Sequence, residues 1–259
     1  SGFQKMTLLD FPGRVACTVF TAGCNLRCPF CHNAALVTHI DESASFSEEE
    51  ILDYLKKRKG LLDGVCITGG EPLLQNGIED FIAKIKELGY AVKLDTNGFY
   101  PEKLISIVNN GLVDYVAVDI KNNKDKYAQT TGIGSLDISP LEKSVAFLLS
   151  GKVDFEFRTT VVAGLHTVDD IDCIGKWRKG APRYFLQNFV DSGDLICSDM
   201  TALPREELYK MQQKAQKLLK NTVKSVESET FETKSDGILF QKVFICEENI
   251  AKQKKILIN

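Results

Sequence analysis

The chain has 259 residues, a formal net charge of −3, 44% hydrophobic and 26% charged residues, the composition of a globular protein with material for a sizeable core. So even a balance offers no basic field for nucleic acid, and no apolar run reaches the length that spans a bilayer. The opening stretch "SGFQKMTLLDFPGRVA" lacks the basic-then-apolar pattern of a secretory signal; a cytoplasmic location is expected, where the eight cysteines serve as ligands or buried thiols rather than disulfides.

From residue 15 to 190, short β-rich runs alternate with helical patterns. "VACTVFT" is the first strand, followed by the cysteine-rich stretch "CNLRCPFCHN". "SEEEILDYLKKRKG" opens with a capping box from Ser47 to Glu50. "GVCITGG" is the second strand, and "GIEDFIAKIKELG" spaces Ile78, Phe81, Ile82 and Ile85 along one helical face. Then come the strands "AVKLDTNG", "YVAVDIK", "DFEFRTTVV" and "RYFLQNFV", separated by the helical stretches "PEKLISIVNNG", "SPLEKSVAFLLSG" and "TVDDIDCIGKWRKG". The strand runs are almost continuously apolar or β-branched, the mark of parallel strands buried on both faces. Right-handed crossovers then give an α/β fold: a partial barrel of six parallel strands, open on one side, because eight are needed to close it. "PREELYKMQQKAQKLLKN" reads as a C-terminal helix. The organisation expected is a barrel domain over 1–220 and a C-terminal extension over 221–259 of unassigned structure, whose polar first part is followed by a stretch that could add an edge strand or a short helix.

In such folds chemistry gathers where the strands end. Cys24, Cys28 and Cys31 follow the first strand with C-x3-C-x2-C spacing, and His32 follows directly. Four chemistries compete for them. Haem attachment through C-x-x-C-H needs an exported chain, and a redox dithiol leaves Cys24 without a role. A three-thiolate iron–sulfur cluster and a zinc site completed by His32 or a distant cysteine both remain open on spacing alone. "TGGEP" ends the second strand, where Gly69 and Gly70 allow close backbone approach and Glu71 is placed to meet an ammonium. Asp95, Thr96 and Asp119 form an oxygen-rich set at the same rim, and Lys121 and Arg158 bring cations there. Cys17 and Cys66 read as buried strand residues. His166, in "AGLHT", is more simply a loop histidine than a substrate contact. Lys210, Lys214 and Lys217 make a solvated face before they make a docking surface.

Taken together these motifs resemble the radical S-adenosylmethionine superfamily over residues 3–200. "GFQKMTLLDFPGRVACTVFTAGCNLRCPFCHN", "TGGEP", "LDTNG" and "DIK" look like its glycyl-radical-enzyme activating enzymes. The "TLLDFPG" lead-in most resembles activators of anaerobic ribonucleoside-triphosphate reductase; pyruvate formate-lyase activators share the later motifs but not the lead-in. The resemblance implies a single [4Fe-4S] cluster on Cys24, Cys28 and Cys31, with its fourth iron taking the amino and carboxylate groups of S-adenosylmethionine. It implies a 5′-deoxyadenosyl radical that removes a Cα hydrogen from a partner's glycine, with flavodoxin or ferredoxin as reductant. By position, Phe30, His32, Gly69, Gly70, Glu71, Thr96, Asp119, Lys121, Arg158 and Asn188 would contact the cofactor, Gln187 more weakly. Asp95, Thr96 and Asp119, with the backbone of Ala117, would hold a monovalent cation. Other readings are the activation of another glycyl radical enzyme, radical chemistry on a small molecule, and a non-catalytic zinc-binding interaction module.

Overall fold

In the computed structural model, which describes residues 2–40, 45–191, 193, 195–220 and 242–243, six parallel strands stand side by side in chain order. They are β2 (Ala16–Thr21), β3 (Gly64–Gly69), β4 (Ala91–Thr96), β5 (Tyr115–Asp119), β6 (Asp154–Val161) and β7 (Tyr184–Asn188). Antiparallel strands border them, β1 (Gly2–Thr7) on β2 and the two-residue β8 (Lys242–Val243) on β7. The expected open α/β barrel is what forms. β1 was not foreseen: "GFQKMT" exposes Gln4, Lys5 and Met6, so it lacks the apolar continuity of its neighbours. Apart from β8, the extension over 221–259 lies outside the described residues.

The crossovers carry α1 (Ala34–Thr38), α2 (Glu48–Lys57), α3 (Ile78–Glu87), α4 (Pro101–Asn109), α5 (Tyr127–Thr130), α6 (Ser139–Leu149) and α7 (Val168–Trp177); α8 (Arg205–Lys220) follows β7. Local chemistry sets their starts. Ser47 and Glu50 close the capping box of α2, and Thr167 with Asp170 does the same for α7. The anticipated stripe Ile78, Phe81, Ile82 and Ile85 is buried. It belongs to one core with Val65, Ile67, Val92, Leu94, Val116, Val118 and Phe157 of the strands. Each such side chain contributes about 1.5–3 kcal/mol by leaving water. The short α1 and α5 had no periodic signal to announce them. Among the described residues no helix is long and apolar enough to cross a membrane.

The two ends of the barrel are treated differently. At the N-terminal ends of the strands, Phe11 from the "LLDFPG" turn is buried against Ala16 and Tyr115. It fits there because Gly64 has no side chain: a Cβ would lie 2.9 Å from the Phe11 ring. At the C-terminal ends a second apolar cluster gathers Leu26, Cys28, Phe30, Val162 and Phe189, with Cys24 and Cys31 packed against it.

Candidate active site

The three cysteines occupy a loop fastened on several sides. Gly23 N–H donates to Leu36 O (2.7 Å), Arg27 N–H to Thr131 O (2.9 Å), and Cys197 N–H to Pro29 O (3.0 Å). Arg27 Nη1 folds back onto the carbonyls of Cys24 (2.6 Å) and Leu26 (2.8 Å). All three thiols are free and near enough to repel one another's charge. Burial pushes the Cys28 thiol up to about 12, against the pull of the Lys121 ammonium. Cys24 is also raised, by burial first, although the Leu26 N–H facing its sulfur opposes the shift. Of the neighbours, His32 stacks on Phe189 (centroids 5.4 Å, 18°), and Phe30 sets its edge against His166 (6.3 Å).

The "TGGEP" segment lies against this loop, backbone on backbone. Gly70 N–H donates to Thr21 O and Glu71 N–H to Gly23 O, each at 2.8 Å. A Cβ on Gly70 would stand 1.9 Å from Gly23 O, and one on Gly69, whose φ is +121°, 2.3 Å from Thr21 N. The close approach these glycines permit is therefore to the preceding strand and its loop. Glu71 also departs from its sequence reading. Its carboxylate is 0% exposed and turned inward, accepting from Leu73 N–H (3.0 Å), Thr96 Oγ1 (2.7 Å) and Asn97 N–H (2.7 Å). Those donors are local or come from the end of β4, which a reading of one motif at a time does not join to Glu71.

Burial raises Glu71 to about 7 from a usual 4.5, outweighing the three hydrogen bonds. Between those values the folded chain holds a proton that the unfolded chain has lost. Stability therefore falls as pH rises through the window and stays lower above it. At about 1.4 kcal/mol per pKa unit, the loss is on the order of 3 kcal/mol. Glu71→Gln removes the titration. In metal-free protein, the urea-derived stability of wild type minus variant is expected to drop from pH 5 to pH 8; a constant difference would place Glu71 in its charged form throughout.

Across the strand ends runs a ladder of alternating charge. Lys93 Nζ bonds Asp95 Oδ1; Arg158 joins Asp95 Oδ2 (3.1 Å, Nη1) to Asp119 Oδ1 (2.9 Å, Nε); Lys121 Nζ reaches Asp119 Oδ2 (3.1 Å). Burial alone would raise both carboxyls, but Arg158 and the lysines hold Asp95 and Asp119 below the usual carboxylate range. Likewise, burial would lower Lys121, but the Asp119 carboxylate keeps it protonated. This ladder leaves the expected cation set poorly fitted to a cation. Asp95 and Asp119 are neutralised by side chains on both oxygens, Thr96 Oγ1 is spent on Glu71 and on Gly98 N–H (3.1 Å), and Ala117 is fully buried in β5. Among the described residues no three His, Cys, Asp or Glu side chains are gathered as a lone metal ion would gather them. Lys93, 1% exposed, belongs to no motif in the sequence; its signal there is its place two positions before Asp95 in a buried strand, which puts it on the same face.

His166 is 3% exposed and takes no part in the mouth. Its Nδ1 accepts from Val162 N–H (3.1 Å) and its Nε2 meets Lys121 O (2.7 Å), so the neutral Nε2–H form pins the β6 loop to β5. Asn188 spends both ends of its amide on Leu203, at 3.0 Å each, and Gln187 pairs with Lys242 across the sheet edge. Lys214 bridges to Asp172 (3.1 Å). Cys17 and Cys66 are buried as expected, and Cys173 and Cys197 are exposed; Cys246 lies outside the described residues.

A family model described as the Radical SAM superfamily matches residues 18–172. This chain belongs to the radical SAM superfamily. A Methanocaldococcus jannaschii protein provisionally named as a glycyl-radical enzyme activating enzyme is 32% identical over 90% of this chain and 98% of its own length. The pyruvate formate-lyase-activating enzyme of Clostridium pasteurianum is 26% identical over 83% and 96%. In fold, the radical SAM chain resembles Streptococcus suis SuiB bound to S-adenosylmethionine (TM-score 0.63, 14% identity, 79% of this chain and 47% of that one). It also resembles the coproporphyrinogen III oxidase of Escherichia coli (TM-score 0.55, 11% identity, 83% and 54%). Membership makes the chain a radical SAM enzyme, homologous to glycyl-radical-enzyme activating enzymes, and implies a [4Fe-4S] cluster and S-adenosylmethionine. The donor set suits such a cluster: three free thiols on one fastened loop, a lysine beside Cys28, and N–H groups facing the Cys24 sulfur.

Proposed function

We propose that this enzyme installs a glycyl radical on a partner enzyme. The observation that carries the reading is correspondence over nearly the full length of both chains with an activating-enzyme relative. Cys24, Cys28 and Cys31 are the cluster ligands. When bound, the cluster supplies one electron from a flavodoxin or ferredoxin to S-adenosylmethionine, yielding methionine and a 5′-deoxyadenosyl radical that takes hydrogen from a glycine Cα. Lys121 and Arg158 orient the cofactor's carboxylate, from a ladder whose ion pairs hold both side chains in place. The backbone of Gly69 and Gly70 faces its ammonium; Glu71 serves by fixing that backbone. Phe30 and Phe189 form an apolar wall that keeps water from the cofactor, with the exposed His32 stacked on Phe189. Asp95 and Asp119 support the cations, Thr96 holds Glu71, and Asn188 closes the loop after β7 onto Leu203.

The partner to test first is anaerobic ribonucleoside-triphosphate reductase, on the strength of the "TLLDFPG" lead-in. Reconstituted anaerobically with iron and sulfide, the reduced protein is expected to give a [4Fe-4S]+ electron paramagnetic resonance signal that changes when S-adenosylmethionine is added. Adding that reductase should then produce a glycyl radical and one 5′-deoxyadenosine per radical. A radical formed only on pyruvate formate-lyase would correct the partner. Cofactor cleavage with no glycyl radical on either enzyme would sink the activase reading.

A further inference from the structure

The role left unassigned by the motifs is that of Asn97, the residue between Thr96 and Gly98 in "LDTNG". It is 5% exposed and every polar atom outside its carbonyl is engaged. Its backbone N–H donates to Glu71 Oε2 at 2.7 Å. Its Oδ1 accepts from Phe99 N–H at 3.1 Å, which fixes which way the amide points. Its Nδ2 is thereby aimed at the cysteine loop, 2.7 Å from Asn25 Oδ1 and 3.7 Å from Cys24 Sγ. The Leu26 backbone N–H approaches the same sulfur at 3.4 Å. One residue thus ties three separate motifs together: from the end of β4 its backbone N–H holds the buried carboxylate after β3, and its side chain meets the first cysteine.

We infer that Asn97 is a positioning residue for the cluster, donating its amide N–H to the Cys24 sulfur and so raising the cluster's reduction potential. A donor facing a thiolate stabilises negative charge on sulfur, and the reduced cluster carries one more electron than the oxidised one, so the donor favours reduction. Glu71 acts through Asn97, because its carboxylate holds the backbone from which the amide is aimed. The inference rests on the cluster that family membership implies, and not on the identity of the partner enzyme.

The test is a redox titration of the reconstituted cluster, followed by electron paramagnetic resonance and paired with iron and sulfide content. Asn97→Asp keeps the shape and removes the donor; Asn97→Ala removes it without adding charge. With content equal to wild type, both are expected to lower the reduced-to-oxidised ratio at a fixed poise. For Asn97→Ala the change should be about tenfold, equivalent to about 59 mV for one electron, and for Asn97→Asp more. An unchanged potential at full content overturns the inference. So does failure of both variants to take up a cluster, since the amide would then serve assembly rather than potential. A wild-type protein that takes up no cluster would defeat the cluster assignment itself, and that failure is read in the wild type alone.

Discussion

Replacing Arg158 with leucine is expected to cost about 2–3 kcal/mol at pH 7, short of the penalty for removing one partner of a fully buried ion pair, because the Asp119 side chain is still a third exposed. Among the described residues the guanidinium is the one cation that bonds both Asp95 and Asp119, at 3.1 and 2.9 Å. Without it each carboxylate keeps a single lysine. The pH dependence has a definite sign. Asp95 and Asp119 are held below the usual 3.8 of an aspartate, so their stabilisation is present above the unfolded pKa and fades as pH falls through the folded one. The gap between wild type and Arg158→Leu should be full at pH 7 and narrower at pH 4, where the variant's less compensated aspartates take up protons. Urea titrations at the two pH values read this directly. Adding Asp119→Asn to Arg158→Leu should recover part of the loss, as coupled neighbours do. A loss below about 1 kcal/mol at pH 7 would mean that the ladder behaves as an exposed ion pair.

Gly70→Ala should be as damaging, for a steric reason. The new methyl carbon would lie 1.9 Å from Gly23 O and 2.7 Å from Gly23 C. These are backbone atoms, with no flexible side-chain end to swing away, and Gly23 immediately precedes Cys24. About 3 kcal/mol, the upper part of the range for overpacking, is expected, together with a fall in iron bound per chain after reconstitution. Gly111→Ala is the comparison. At φ +67° it carries the left-handed strain, but its added carbon meets nothing within 4 Å, so a loss of about 1–2 kcal/mol with full iron content should follow. Equal effects from the two substitutions would show that crowding at Gly70 is relieved elsewhere.

The parallel strands were legible because burial on both faces demands long β-branched and apolar runs, and "GVCITGG" or "YVAVDIK" satisfy nothing else. β1 was not, since an edge strand with one wet face has no such demand. Within the candidate site, the sequence brought the cysteines, the glycine pair and the charged strand ends to one rim, but it could not say what each polar atom touches. Glu71 reads as a ligand beside two glycines; its inward turn depends on Thr96 and Asn97, 25 and 26 residues further on. Asp95 and Asp119 read as an oxygen site for a cation until Lys93 and Arg158 are seen to occupy them. Asn97 carries no motif of its own in the sequence, although an asparagine at a buried strand end before a glycine of positive φ is a signal in itself.

The sheet's strands follow one another in chain order from β1 to β8, so each can be laid beside its predecessor as the polypeptide leaves the ribosome. Cys24 is then made 73 residues before Asn97, and at synthesis rates of about 5–20 residues per second the interval is roughly 4–15 s. During that time the thiol loop has emerged without the amide that faces its first sulfur or the carboxylate that aims the amide. A newborn chain therefore passes through a stage in which its thiol loop stands without the contact from β4, and of the three thiols only Cys28 is later buried.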